Sequence, residues 1–242
     1  MKSLLITFLL LTLALPTTAQ DAVDEKMYQA YLTLDKASWK KAVEMRTLEA
    51  KQAPTDAVKQ FKLAFAQFSL LSSTMATKDE TLFDEYIETT KDLLKNLIEK
   101  KEVTAESKAL LSAVYGLQMG YSPMKGITLG GKSSSLAEEG KTLAPTSAIA
   151  WRVYGGGKYY TPSAFGGDVK EAIAALEKSV KLFENKPEQI KNNWLYLDTI
   201  VLLGQAYSKN EEKAKVFATY EKAISIEPNF GYAKSLLAKA KK

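Results

Sequence analysis

Residues Ile200 to Pro228 read IVLLGQAYSKNEEKAKVFATYEKAISIEP. The informative positions are Leu203, Gly204 and Tyr207 in its first half, and Val216, Tyr220, Ala223 and Pro228 in its second. Gly204 and Ala223 are small enough to let two helices approach closely, and Tyr207 and Tyr220 fill the gap between them. Pro228 stops the second helix. The stretch reads as a helix–turn–helix whose side chains specify its own packing.

The same rhythm extends upstream. Val58, Phe61, Ala64, Phe65 and Phe68 recur three or four apart, which places them on one helical stripe. Leu82, Phe83, Tyr86, Ile87, Leu93, Leu94, Leu97 and Ile98 do so in the next segment, and Val169, Ala172, Ile173, Leu176, Val180 and Phe183 further on. Alternating strand patterns with hairpin turns are scarce. Pro54, Pro123, Pro145, Pro162, Pro187 and Pro228 separate the periodic segments, where proline ends a helix at little cost. Short helices joined by short turns favour antiparallel neighbours. The expected fold is all-α, a stacked array of about five helix hairpins.

The spacing within Ile200–Pro228 resembles the tetratricopeptide repeat, a helix–turn–helix unit of about 34 residues. Ile200 stands where that repeat prefers Trp, and Val216 where it prefers Ala. Trp151, Tyr154 and Gly155 match the first helix of a preceding unit, and Ala172, Leu176 and Ser179 its second. Relative to the repeat length this unit carries about five extra residues, within YYTPSAFGGD (Tyr159 to Asp168). A third unit runs from Ser112, Tyr115 and Gly116 to Ala137, Gly140 and Pro145. Before residue 103 only helix pairs remain, one around Trp39 and one from Ala57 to Lys100. The tail GYAKSLLAKAKK reads as the polar-faced cap such arrays need. The expected division is a leader at 1–19, divergent hairpins at 20–102, and repeats with the capping helix at 103–242.

The leader is MKSLLITFLLLTLALPTTAQ. Lys2 supplies a positive start, Leu4 to Leu15 an apolar run, and Thr17-Thr18-Ala19 the small residues of a cleavage site after Pro16. The run is shorter than the about 20 apolar residues that span a bilayer. The expectation is export to the periplasm or cell exterior, with cleavage after Ala19 and no membrane span thereafter. The chain has no cysteine, so disulfides and a lipid-bearing cysteine at the cleavage point are excluded. It has no histidine, which excludes histidine-ligated metals, a Ser-His-Asp triad and imidazole acid–base catalysis. Net charge is +5, with Lys and Glu interspersed, as in KNLIEKKE (Lys95 to Glu102). Such runs are solvated helix faces and do not form a nucleic-acid patch.

One motif pulls another way. GITLGGKS, Gly126 to Ser133, satisfies the phosphate-cradling pattern G-x-x-x-x-G-K-[ST]. A working loop follows a buried strand and opens a helix, whereas YGLQMGYSPMK precedes this one, with Pro123 three residues upstream. The acid-terminated run WLYLD (Trp194 to Asp198) falls in the repeat register as a helix start. The expected assignment is a turn over Gly126–Gly131 and a helix over Lys132–Thr142, with a nucleotide-dependent enzyme as the remote alternative.

In WRVYGGGKYYTPSAFGGD, Trp151 to Asp168, Gly155 reads as a helix-packing position and Gly156-Gly157 as a helix end. Asp168 reads as the N-cap of the next helix, and Tyr159, Tyr160 and Phe165 as loop aromatics. The resemblance implies that first-helix residues off the packing face line a concave groove for a protein or peptide. Those positions are Arg152, Tyr159 and Tyr160 in one unit and Asp198, Gln205 and Lys209 in the next. They do not reproduce the paired Lys and Asn with which the family clamps a C-terminal carboxylate. The implied function is non-catalytic protein or peptide binding or scaffolding, without cofactor, metal or nucleic acid. The alternative is a small-ligand carrier in which the aromatic loop and the arginine enclose an anionic or sugar-like molecule.

Overall fold

The structure, a computed structural model, describes residues 22–187 and 190–241. The expected leader at 1–19 lies outside the described residues. Among these residues the chain forms α-helices, two short 3-10 turns and no strand. The helices are α1 Ala22–Thr33, α2 Lys36–Gln52, α3 Ala57–Thr74, α4 Glu80–Glu99, α5 Thr104–Tyr121 and α6 Gly126–Leu143. They continue with α7 Ala148–Tyr160, α8 Val169–Glu184, α9 Trp194–Lys209, α10 Lys213–Ile226 and α11 Gly231–Ala240. All six prolines named above fall outside the α-helices. Asp35, Asp56, Asp79, Ser147, Asp168 and Asn193 accept backbone N–H bonds at the starts of α2, α3, α4, α7, α8 and α9, as good N-caps do.

Consecutive helices pack as five hairpins, α1–α2 through α9–α10, and α11 covers α10. The decisive hairpin packs as its residues require. Tyr207 and Tyr220 are buried, and a Cβ on Gly204 would lie 2.4 Å from the Tyr220 ring. Gly155 repeats the device one unit earlier, where a Cβ would stand 2.9 Å from Leu176 and 3.2 Å from the Ala172 carbonyl. Gly140 does so again, facing the Ala105 carbonyl at 2.9 Å. Each close approach needs a residue without a side chain.

The first helices of the hairpins form an inner layer in which α1 touches α3, α3 touches α5, α5 touches α7, and α7 touches α9. The superhelix curves tightly enough that α1 also touches α9, so the inner layer is a closed ring. Trp194 sits at this closure. Its ring centroid lies 5.6 Å from Tyr31, 5.5 Å from Trp39 and 5.8 Å from Phe65, and Phe230 lies 5.5 Å from Tyr31. Tyr28 on α1 donates to Glu227 beyond α10 at 3.2 Å. The main core therefore runs from Val23 to Ala233, and a smaller cluster around Ala109, Ala150, Val153, Tyr154 and Ala175 packs between α5, α7 and α8.

Several local expectations change. Gly126–Gly131 is not a turn: it forms the opening of α6, preceded by the helix α5 and a 3-10 turn at Pro123–Lys125. Reciprocal Ser112–Ser133 bonds pin this segment as helix, with the Ser112 hydroxyl on the Ser133 carbonyl at 2.6 Å and the Ser133 hydroxyl on the Ser112 carbonyl at 2.9 Å. Gly156-Gly157 does not end a helix, because α7 runs on to Tyr160. Tyr159 and Tyr160 are accordingly helical, and only Phe165 lies on the loop. Val58 is exposed in the first turn of α3, off the buried stripe.

Candidate functional site

The six positions placed on the concave face lie on α7 and α9, adjacent helices of the inner layer, and the fold brings them together. Arg152 donates through Nη2 to Asp198 at 2.5 Å. Its side chain is only 16% exposed and that of Asp198 24%, so the pair is a largely buried ion pair. A second donor reaches Asp198 from the far end of the chain, the Tyr31 hydroxyl of α1 at 3.1 Å. Gly156 gives the guanidinium its room, since a Cβ there would lie 2.7 Å from Arg152 Nη1. The Arg152 Nε is buried without a hydrogen-bond partner among the described residues.

Around this pair stands a ring of phenols. Tyr159 and Tyr160 meet edge to face at 4.8 Å. Lys209 Nζ reaches the Tyr159 carbonyl at 3.3 Å and lies 5.1 Å from the centre of its ring. Gln205 donates its amide to the Tyr232 hydroxyl at 2.9 Å. Tyr160 is 67% exposed and Tyr232 45%. These two residues and Lys209 form the accessible part of the face, while Arg152 and Asp198 lie beneath.

Burial sets the electrostatics here. Desolvation would lower the Arg152 pKa, but the adjacent Asp198 charge outweighs it and holds the guanidinium cationic. Tyr31 is raised well above the ordinary phenol value, first by burial and then by the charge of Asp198. Desolvation raises Tyr159 and pushes Tyr160 up to about 12, against the lowering influence of Arg152. At neutral pH these phenols are neutral hydrogen-bond donors.

Two further groups of the cluster, Tyr31 and Tyr232, escaped the sequence reading. Tyr31 joins through ring closure, across 167 residues, a separation that leaves no local signal. Tyr232 lies in the capping helix, where its neighbours are lysines and small residues. Asp168 is a cap and no more than that: its carboxylate accepts from the Lys170 and Glu171 amides at 2.9 and 3.0 Å. Phe165 stands apart from the cluster, 81% exposed.

Residues 197–230 match the family model described as tetratricopeptide repeat. The chain carries a tetratricopeptide repeat. The matched unit is the α9–α10 hairpin, which contributes Asp198, Gln205 and Lys209 to the cluster. Among solved structures, a thermophilic TPR protein of Thermus thermophilus is 17% identical, with 90% of this chain and 98% of that one covered at a TM-score of 0.61. The HusA haemophore of Porphyromonas gingivalis is 18% identical, with 79% and 94% covered at a TM-score of 0.61. At such identities the likeness is one of fold, a stacked array of helix hairpins over most of the chain. No curated protein matches the sequence. Among the described residues no helix is long and apolar enough to cross a membrane. The glycine–lysine segment of α6 follows a helix, so the strand that aims a phosphate loop is missing from its approach.

Proposed function

We propose that the chain is an exported, non-catalytic binding module whose tetratricopeptide repeats take up a protein or peptide segment at the face formed by Tyr160, Lys209 and Tyr232 of α7, α9 and α11. The observation that carries this reading is the edge-to-face pair of Tyr159 and Tyr160, with Lys209 5.1 Å from the Tyr159 ring and Tyr160 two-thirds exposed on the inner layer. A tyrosine held against a neighbouring ring offers a rigid amphipathic anchor, the kind that dominates binding energy at interfaces. Lys209 and Tyr232 flank it, so an occupant meets phenol donors and one cation. The leader sequence supports export, and an array that presents continuous surface suits association.

The test is capture from the native envelope with the chain as bait, followed by Tyr160→Ala and Lys209→Ala. Both side chains are exposed, so helical content stays intact while capture weakens. Unchanged capture by the double variant refutes the site. Arg152→Ala is a poorer probe because that side chain holds the inner layer together.

A second reading is a small-ligand carrier. It is favoured by the convergence of Tyr159, Tyr160 and Tyr232 around Arg152, and one protein of the same fold is a haemophore. A thermal-shift screen of small molecules distinguishes the two. A ligand that raises the melting temperature of the parent chain but not of Tyr160→Ala favours the carrier.

A further inference from the structure

The opening of α6 has no role in the concave site, and four observations converge on it and on the neighbouring hairpin. First, the most exposed large apolar side chains are Ile127 and Phe165 at 81% and Leu34 and Met124 at 74%. Leu34, Met124 and Phe165 lie in the connections between the first and second helices of the α1–α2, α5–α6 and α7–α8 hairpins, and Ile127 lies in the first turn of α6, next to the α5–α6 connection. In an array of antiparallel hairpins these turns share one edge. Met124 and Ile127 lie on one hairpin and Phe165 on the next.

Second, from Ser107 to Ala137 the chain carries Lys108, Lys125 and Lys132 and no acidic residue. Lys125 and Lys132 form no ion pair among the described residues, and neither does Lys170 at the next tip. The nearby acids have partners of their own: Asp168 caps α8, Glu171 pairs with Lys158 at 2.8 Å, and Glu88 of α4, which feels the charge of Lys125, pairs with Lys91 at 2.8 Å. Third, Gly126, Gly130 and Gly131 have no atom within 4 Å of where a Cβ would sit. Nothing in the chain requires glycine there, although glycine weakens a helix. The bare backbone makes this a low-profile face. Fourth, the loop that carries Phe165 is set firmly. Phe165 N–H donates to the Pro162 carbonyl at 2.9 Å and Gly166 N–H to the Ser163 carbonyl at 3.1 Å. Gly166 holds φ at 91°, and any Cβ on Gly167 would run into the Thr161 carbonyl.

Apolar side chains on fixed tips, with lysines beside them that form no ion pair, are the features of a surface that settles on anionic lipid. We propose that the α5–α6 and α7–α8 tips dock on an anionic bilayer surface. Met124, Ile127 and Phe165 enter the head-group layer while Lys125, Lys132 and Lys170 meet lipid phosphates. The glycine–lysine stretch that resembles a phosphate loop then contacts phosphate as a helix flank, through lysine charge rather than through a cradle. Docking at this edge is independent of the face formed by Tyr160, Lys209 and Tyr232.

The experiment is vesicle flotation of the chain beginning at Gln20, which retains every described helix. Vesicles of phosphatidylcholine with phosphatidylglycerol are compared with vesicles of phosphatidylcholine alone. The chain is expected to float with the anionic vesicles only and to be released by high salt. Lys125→Glu with Lys132→Glu weakens partition by about fivefold or more for each lysine. Met124→Ser, Ile127→Ser and Phe165→Ser together reduce it by about tenfold or more. The replaced apolar side chains are all more than 70% exposed, and circular dichroism checks that the helices remain. Absence of flotation with anionic vesicles overturns the proposal, as does flotation that the apolar triple variant leaves unchanged. Concentration-dependent self-association that the triple variant abolishes, without flotation, assigns the edge to contact between copies and also overturns it.

Discussion

Replacing Asp198 by Asn probes the keystone of the inner layer. Asp198 accepts from Arg152 at 2.5 Å and from Tyr31 at 3.1 Å. The substitution keeps the volume but removes the charge and turns an amide donor toward a guanidinium that only donates. A charge-assisted hydrogen bond contributes about 1.5–3 kcal/mol, and stranding a buried charge costs about 3–5 kcal/mol. Arg152 retains 16% of its exposure and Asp198 24%, so water recovers part of the loss, and the expected destabilisation is about 3 kcal/mol. At this chain length that lowers the melting temperature by about 6–12 °C. Urea titration followed by circular dichroism measures it. Tyr31→Phe alone costs about 1 kcal/mol, and close to nothing more once Asp198 is Asn, because both remove the same bond. Arg152→Met with Asp198→Leu is milder than Asp198→Asn, since a dry pair of apolar side chains leaves no stranded cation. An Asp198→Asn protein within about 0.5 kcal/mol of the parent refutes the reasoning.

Two glycine substitutions are expected to shift stability in opposite directions in the same titration. Gly204→Ala drives a methyl into the buried Tyr220 ring and destabilises by about 1–3 kcal/mol, whereas Gly130→Ala meets open space and gains about 0.5–1 kcal/mol of helix propensity. In alkaline titration, burial pushes Tyr220 up to about 12 and raises Tyr31 well above the ordinary phenol value. Their folded pKa values lie above the unfolded one, so their contribution is complete below pH about 10 and is lost as pH rises through the folded values. The phenolate band is expected to develop together with loss of helix, and a phenolate titration complete near pH 10 with helices intact counts against the buried assignment.

What the sequence discloses depends on how far apart the partners lie. Gly204 and Tyr220 touch within one hairpin, and the pattern that places them is a local one, so the α9–α10 unit and its neighbour were readable from spacing. Glycine misled twice. Gly126–Gly131 and Gly156-Gly157 have poor helix propensity, yet both segments are helical, because the Ser112–Ser133 bonds hold the first and the second lies between Tyr154 and Tyr159 on a packed helix. Tertiary packing overrides propensity at such positions. The groove positions on α7 and α9 followed from the repeat register, but their chemistry did not. Arg152 and Asp198 were expected to face a partner, and they face each other. The hydroxyl that completes their network belongs to Tyr31, whose helix α1 offers no repeat signature.

The meeting of α1 with α9 changes what kind of object the array is. Solenoids of stacked repeats are modular: each unit feels only its neighbours, and units can be added or removed at either end. Here the first and last turns of the spiral touch, through pairs such as Tyr28 and Glu227, 199 residues apart. The number of hairpins is thereby fixed, because a sixth inserted in the middle would pry the seam open and expose Trp194. Loss of either terminus is felt at the other, so melting proceeds as one event rather than unit by unit. The chain cannot seal until its C-terminal hairpin has been made, and a seam joining such distant residues is slow to form.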